Sequence, residues 1–328
     1  MAVYTEVSFD EAGELLKTLN LGQLQTLEAC AGGIENTNYF ASTDQGDYVL
    51  TLFERLTATQ LPFYLKLMKH LAAHGVPVPD PAADARGELL YALNGKPATV
   101  VNRLRGKSEL APSTAHCAEV GAMMARMHLA GRDFDLTQPN LRGLPWWNET
   151  VPVVLPHLDE SQSALIRSEL AFQNHFAASS ISNALPQGTV HADLFRDNVM
   201  FEACGATPHG ADGTLAAPAL TGFFDFYFAG VDTFAFDIGV ALNDWCIDLQ
   251  TGATSAGHQK AFLDAYAAVR PLSGAEWQSL PALRRAGALR FWISRLWDYH
   301  LPREASVLKA HDPAHFERVL RELIRELP

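Results

Sequence analysis

Val190-His191-Ala192-Asp193-Leu194-Phe195-Arg196-Asp197-Asn198 decides how the rest of the chain is read. The stretch holds His-x-Asp, with an Asn five residues after the Asp. Downstream, the β-like run Ala219 to Phe224 leads into Asp225. Phosphoryl transfer to an alcohol needs a group that orients the hydroxyl and accepts its proton late, and Asp193 offers a loop carboxylate for that task. Magnesium prefers hard oxygen ligands, keeps several waters, and takes one or two protein groups besides phosphates. Asn198 and Asp225 offer one amide oxygen and one carboxylate of that kind. The plainer readings are a turn residue for Asn198 and a hydrogen-bonded structural carboxylate for Asp225. A carboxylate among Phe223, Phe224, Phe226 and Phe228 must be paired or metal-bound if it is buried. His191 reads as structural, its imidazole bonded to backbone so that the loop keeps its shape. Asp237, in Phe236-Asp237-Ile238-Gly239-Val240, starts a helix, where it caps N–H groups or braces the catalytic loop.

Upstream of this stretch the chain is β-rich. Thr26 to Cys30 reads as a strand. Asn38 to Ala41 and Tyr48 to Phe53 read as a hairpin across the turn Asp44-Gln45-Gly46-Asp47. Residues 58–74 carry Leu61, Leu65, Met68, Leu71 and Ala72 at helical spacing, and Gly75, Pro77 and Pro79 stop the helix. Ala98 to Leu104 reads as another strand, and Arg105-Gly106-Lys107-Ser108 breaks the pattern as a hinge. The expected architecture is α+β: a small antiparallel β-rich N-terminal lobe over residues 1–104, and a larger, mainly helical C-terminal lobe over 105–328. In the latter, helices are expected at 113–130, 161–178, 235–249, 257–270, 276–300 and 314–327, with Cys204 to Pro218 as a surface turn. Gly32-Gly33-Ile34-Glu35-Asn36-Thr37-Asn38 lies between two strands. Gly32 and Gly33 let backbone N–H groups approach phosphates, and Asn36, Thr37 and Asn38 add donors. As a sequence pattern it is equally a common Gly-Gly turn.

Composition narrows the partners. The 328 residues are 48% hydrophobic and 19% charged, and the formal charge is −12. That balance fits a globular enzyme of two lobes and argues against a nucleic-acid partner, whose binding is driven by Lys and Arg. No apolar run approaches the roughly 18 residues of a membrane span. Met1-Ala2-Val3-Tyr4-Thr5-Glu6 lacks a basic region followed by an apolar core, so no signal peptide is expected. Cys30, Cys117, Cys204 and Cys246 are far apart and form no Cys-x-x-Cys pair. Zinc is not expected, and the reading is of reduced thiols in a cytoplasmic protein.

Arg290-Phe291-Trp292-Ile293-Ser294-Arg295-Leu296-Trp297-Asp298 reads as helix. Two readings of it stand level: a core-facing packing stripe, or Arg295 projecting into a cleft to grip a substrate carboxylate. Trp146 and Trp147, after Gly143-Leu144-Pro145, read as packing or loop anchors.

On residues 32–39, Tyr48 to Leu56, His191 to Asn198, Phe224-Asp225-Phe226 and Arg290 to Leu296, the chain resembles the aminoglycoside-phosphotransferase and choline-kinase-like family. Within that family it is most similar to the bacterial branch acting on homoserine. The resemblance implies a protein-kinase-like two-lobe fold, ATP with Mg2+ between the lobes, and adenine near the end of the 101–105 strand. It implies Asp193 as the base, Asn198 and Asp225 as metal ligands, and residues 32–38 over the phosphates. The implied substrate is a small molecule, L-homoserine, phosphorylated on the way to threonine. Another acceptor (an aminoglycoside, choline, methylthioribose) and a silent nucleotide-binding protein are the alternatives. Thr51 departs from the pattern, standing where the third strand of this fold usually offers Lys or Arg, with Arg55 and Lys66 as candidate substitutes. Tyr227 replaces the Gly of Asp-Phe-Gly. His-Ala-Asp also lacks the Arg that meets a phosphorylated activation loop, so a switch of that kind is not expected.

Overall fold

The structure is a computed structural model that describes residues 5–30, 36–202, 218–301 and 311–326. Gly32 and Gly33 of the expected phosphate loop lie outside the described residues, as does the expected surface turn from Cys204 through residue 217. The chain divides into two compact units, residues 1–105 with 222–224, and residues 106–221 with 225–328.

The first unit opens with α1 (Phe9–Thr18). Ser8 Oγ accepts the Glu11 N–H, and the Glu11 carboxylate accepts the Ser8 N–H, so two orphan donors of the first turn are satisfied reciprocally. Then come β1 (Leu24–Ala29), β2 (Asn36–Thr43) and β3 (Asp47–Phe53), followed by α2 (Leu61–Ala73), β4 (Tyr91–Leu93) and β5 (Lys96–Asn102). The strands form one antiparallel sheet in the order β1-β2-β3-β5-β4. Along β2, alternate residues Thr37, Tyr39, Ala41 and Thr43 are buried, as a strand with one face on a core requires. Asn94 and Gly95 link β4 to β5 with φ of 50° and 77°, the left-handed pair a tight hairpin turn needs. Leu16, Leu50, Leu52, Ala98 and Val100 fill the core between helix and sheet.

The second unit is mainly helical. It contains α3 (Thr114–Ala130), α4 (Leu144–Val154), α5 (Glu160–Ala177) and the short α6 (Ser180–Asn183). The strands β6 (Gln187–Val190), β7 (Val199–Glu202), β8 (Ala219–Phe223) and β9 (Gly230–Thr233) follow. The helices α7 (Phe234–Trp245), α8 (Ala256–Val269), α9 (Gly274–His300) and α10 (Ala314–Glu326) complete it. β6 pairs antiparallel with β9, and β7 pairs with β8. All of α7 is buried, so it is the axis of this unit. Trp146 and Trp147, read as packing or loop anchors, lie inside α4, where Trp147 packs in the core and its indole N–H donates to the Arg142 carbonyl at 2.5 Å. Gly121 of α3 is a close-approach glycine, since a Cβ there would fall inside the Phe262 carbonyl of α8.

Candidate functional site

The His191–Asn198 loop leaves the end of β6 and is held by α7 at two points. The backbone N–H groups of His191 and Ala192 both donate to Asp237, at 3.0 Å to Oδ2 and 2.7 Å to Oδ1. Two successive N–H groups converge on one carboxylate because Ala192 adopts φ of 63°, a conformation costly for a non-glycine residue and offset here by charge-assisted bonds. His128 of α3 also meets Asp237, its Nε2 2.9 Å from Oδ2, while its Nδ1 lies 2.6 Å from the Tyr266 hydroxyl. Burial alone would raise the Asp237 pKa. The His128 bond, the nearby imidazoles and the His191 N–H outweigh it and hold the carboxyl below its ordinary value. Burial lowers the His128 pKa, and the bond to Asp237 opposes that fall.

The far end of the loop is tied to Asp244. The Arg196 N–H and Nε donate to Asp244 Oδ2 at 2.8 and 3.0 Å, Nη2 donates to the Asp244 carbonyl, and Nη1 to the Leu110 carbonyl at 2.8 Å. Trp245 Nε1 donates to the Leu194 carbonyl at 3.0 Å. Asp237 and Asp244 are seven residues apart, about two helical turns, so they share the face of α7 that meets the loop.

Between these ties stands Asp193. Its N–H donates to His191 Nδ1 at 3.2 Å, and the His191 ring packs 4.6 Å from Phe226. The Asp193 carbonyl accepts the Asn198 amide Nδ2 at 2.9 Å, which turns the Asn198 amide oxygen away from that carbonyl. Asp225 has φ of 68° and ψ of 58°, immediately before the 3-10 turn Phe226–Phe228. Burial pushes the Asp193 pKa well above the carboxylate range. Arg290 opposes this, and the charges of Asp225, Asp197 and Asp244 add to it. Acidic charge crowded around Asp193 is of the kind a divalent cation relieves, and an amide oxygen with a carboxylate suits magnesium. Among the described residues no cluster of three or more His, Cys, Asp or Glu forms a metal site.

Sequence reasoning singled out Arg295, and the structure brings Arg290 to Asp193 instead, Nη1 to Oδ1 at 3.7 Å. The Arg295 guanidinium stacks 4.5 Å over the Phe316 ring and donates to the Asp312 carbonyl at 3.3 Å. Both arginines were visible in one helical stretch, but which of them faces the loop depends on the rotation of α9. The Asp244–Arg196 tie had no local signal.

In the first unit, Asn36 and Asn38 sit on the half-exposed face of β2, while Thr37 is turned into the core. The Thr37 hydroxyl donates to Glu54 Oε1 at 2.8 Å and accepts the Thr5 N–H at 3.3 Å, so it serves the sheet rather than an outward ligand. Thr51, opposite Asn38 across the β2–β3 ladder, donates to Asn38 Oδ1 at 2.7 Å. A neutral hydrogen bond therefore occupies the place where a cation was sought. Lys96 is engaged with Glu54 at 3.0 Å.

The fold is that of small-molecule kinases with protein-kinase-like architecture. An amicoumacin kinase, hAmiN, solved with AMP-PNP, Ca2+ and Ami superposes with a TM-score of 0.68 at 18% identity, covering 98% of this chain and 95% of that one. A putative aminoglycoside phosphotransferase of Ralstonia eutropha JMP134 gives 0.67 at 15% identity, covering 97% and 96%. The chain belongs to the phosphotransferase enzyme family, whose model matches residues 26–272. It is 66% identical to the homoserine kinase of Polaromonas naphthalenivorans strain CJ2 over 322 residues, 98% of each chain. It is 55% identical to the homoserine kinase of Paraburkholderia xenovorans strain LB400, over 98% of this chain and 96% of the other.

Proposed function

We propose that this chain transfers the γ-phosphoryl group of ATP to the side-chain hydroxyl of L-homoserine, giving O-phospho-L-homoserine and ADP, a step towards threonine. The observation that carries the reading is 66% identity to a homoserine kinase across 98% of both chains. The loop geometry supports it. Asp193 accepts a hydrogen bond from the acceptor hydroxyl, orients its oxygen for in-line attack, and takes the proton as the new O–P bond forms. His191 and Asp237 position Asp193 by holding the loop backbone. Asn198 and Asp225 would hold a magnesium ion, which neutralises phosphate charge when bound. The nucleotide phosphates would be contacted through the 32–38 stretch, of which Asn36 and Asn38 on β2 are candidate donors, and Thr51 offers Asn38 a neutral hydrogen bond. Arg295 stands near the acidic loop residues and adds positive charge there. The reading places the enzyme in the cytoplasm, where ATP and amino-acid precursors are found. No described helix is long and apolar enough to cross a membrane.

A polycationic aminoglycoside fits poorly beside a buried guanidinium at Asp193. The test is ADP release with L-homoserine against choline, an aminoglycoside, methylthioribose and a panel of amino alcohols. Strong selectivity for L-homoserine is expected. ADP release with another acceptor and none with homoserine would refute the assignment.

A further inference from the structure

Arg290 is almost wholly inside the protein, with 3% of its side chain exposed. Its guanidinium carbon lies 3.6 Å from the centre of the Phe291 ring and 4.9 Å from that of Phe228. At 3.7 Å, its approach to Asp193 is an ion contact too long for a hydrogen bond. Its Nη2 is buried with no hydrogen-bond partner. Arg270, Arg284 and Arg318 also carry an orphaned buried guanidinium nitrogen, but the one on Arg290 stands beside the loop carboxylate, where an acceptor's anion would satisfy it.

We propose that Arg290 is the receptor for the acceptor's α-carboxylate, taken up at Nη2 while the acceptor's hydroxyl lies on Asp193. The inference rests on the homoserine kinase reading and adds the residue that selects an amino acid over a plain amino alcohol. Homoserine carries its hydroxyl and its carboxylate on one four-carbon chain, so a molecule docked on Asp193 brings an anion to the adjacent guanidinium. Asp193 keeps 15% of its side chain exposed against 3% for Arg290, so the hydroxyl end docks at the wetter of the two groups. The local field agrees. Burial lowers the Arg290 pKa to about 10, Asp193 opposes that fall, and the charges of Arg142 and Arg295 add to it. In a chain of net charge −12, the Arg142 and Arg295 charges felt at Arg290 offset part of the acidic surroundings, to which Asp298 also contributes.

The experiment compares L-homoserine with 3-aminopropan-1-ol, which keeps the hydroxyl and the amine and lacks the carboxylate. Wild type, R290Q and R290K are assayed for ADP release with saturating Mg-ATP. The amino alcohol is also measured as a competitive inhibitor, so the comparison stands at any turnover. An effect transmitted through Asp193 strikes both acceptors and cancels in the ratio of their kcat/KM values. In R290Q the preference for homoserine is expected to fall roughly 10- to 100-fold, mainly through KM, as loss of a charge-assisted bond implies. R290K keeps a point charge without the fork and is expected to fall between wild type and R290Q. An unchanged ratio in folded R290Q overturns the inference. If R290Q does not fold, R290K alone decides: a reduced ratio supports the receptor role and an unchanged one overturns it. A wild-type protein that releases no ADP with homoserine refutes the function itself, and this inference falls with it.

Discussion

Asp193 joins a reactive carboxylate to a crowded acidic neighbourhood, and its removal separates binding from turnover. Asp193→Asn keeps the shape and the loop bonds but cannot accept a proton. We expect kcat with homoserine to fall about 100- to 10,000-fold, the range for a lost general base, while nucleotide affinity changes little. Single-turnover ADP formation against equilibrium binding of an ATP analogue checks this, and near-normal turnover would remove Asp193 from the chemistry. Asp193 and Asn198 were readable as one loop because their spacing is local, whereas Asp225 entered only through the β-like run that leads into it. The choice between Arg290 and Arg295 was not readable, because five helical residues turn the side chain well off its starting direction and only packing fixes which one faces the loop. Thr37 illustrates the same limit on a strand. One step along β2 separates an outward-facing donor from a hydroxyl buried against Glu54.

At the level of elements, α3 and α7 are pinned by His128 and Asp237, whose pKa directions carry a testable consequence. His128 has a folded-state pKa below its unfolded value, so the unfolded chain binds the extra proton. Stability is then complete above about pH 6.5 and declines as pH falls from there towards the depressed folded value. Asp237, held low, contributes stability that is present above about pH 4 and is lost only as pH falls through its folded value. Chemical denaturation at pH 7.5 and 5.5 should therefore show a shallower loss for His128→Gln than for wild type. The difference should approach about 1.4 kcal/mol per pH unit for one proton. His116, His300 and His315 are also shifted down and remain in both proteins, so only the difference reports on His128. Equal slopes would show that His128 carries no such proton linkage. The β2–β3 hairpin and the long helices were readable from alternation and 3.6-residue periodicity. α4 was not: Trp146 and Trp147 read only as packing or loop anchors, Pro145 and Pro152 interrupt the pattern, and its core contacts lie elsewhere in the chain. α1 and β4 had signals that went unused, the Ser8–Glu11 capping box and the Asn94-Gly95 turn.

For the molecule as a whole, ligand and metal report through stability. A non-hydrolysable ATP analogue with Mg2+, at about 100 times its Kd, stabilises a binding-competent protein by roughly 2.7 kcal/mol. We expect a clear rise in Tm that a chelator reduces, that Asp193→Asn retains, and that Asn198→Ala and Asp225→Ala lose in large part. An unchanged rise in the last two would take the metal away from that pair. The α+β class was readable from the order of strands and helices, and the acidic composition spoke only to partners. The catalytic loop hangs on α7, through Asp237 and Asp244, whereas the guanidinium beside Asp193 comes from α9. On the proposed assignments, chemistry and choice of acceptor are written on different helices. Evolution or design can redirect this scaffold to a new alcohol by editing α9, leaving the phosphoryl-transfer machinery as it stands.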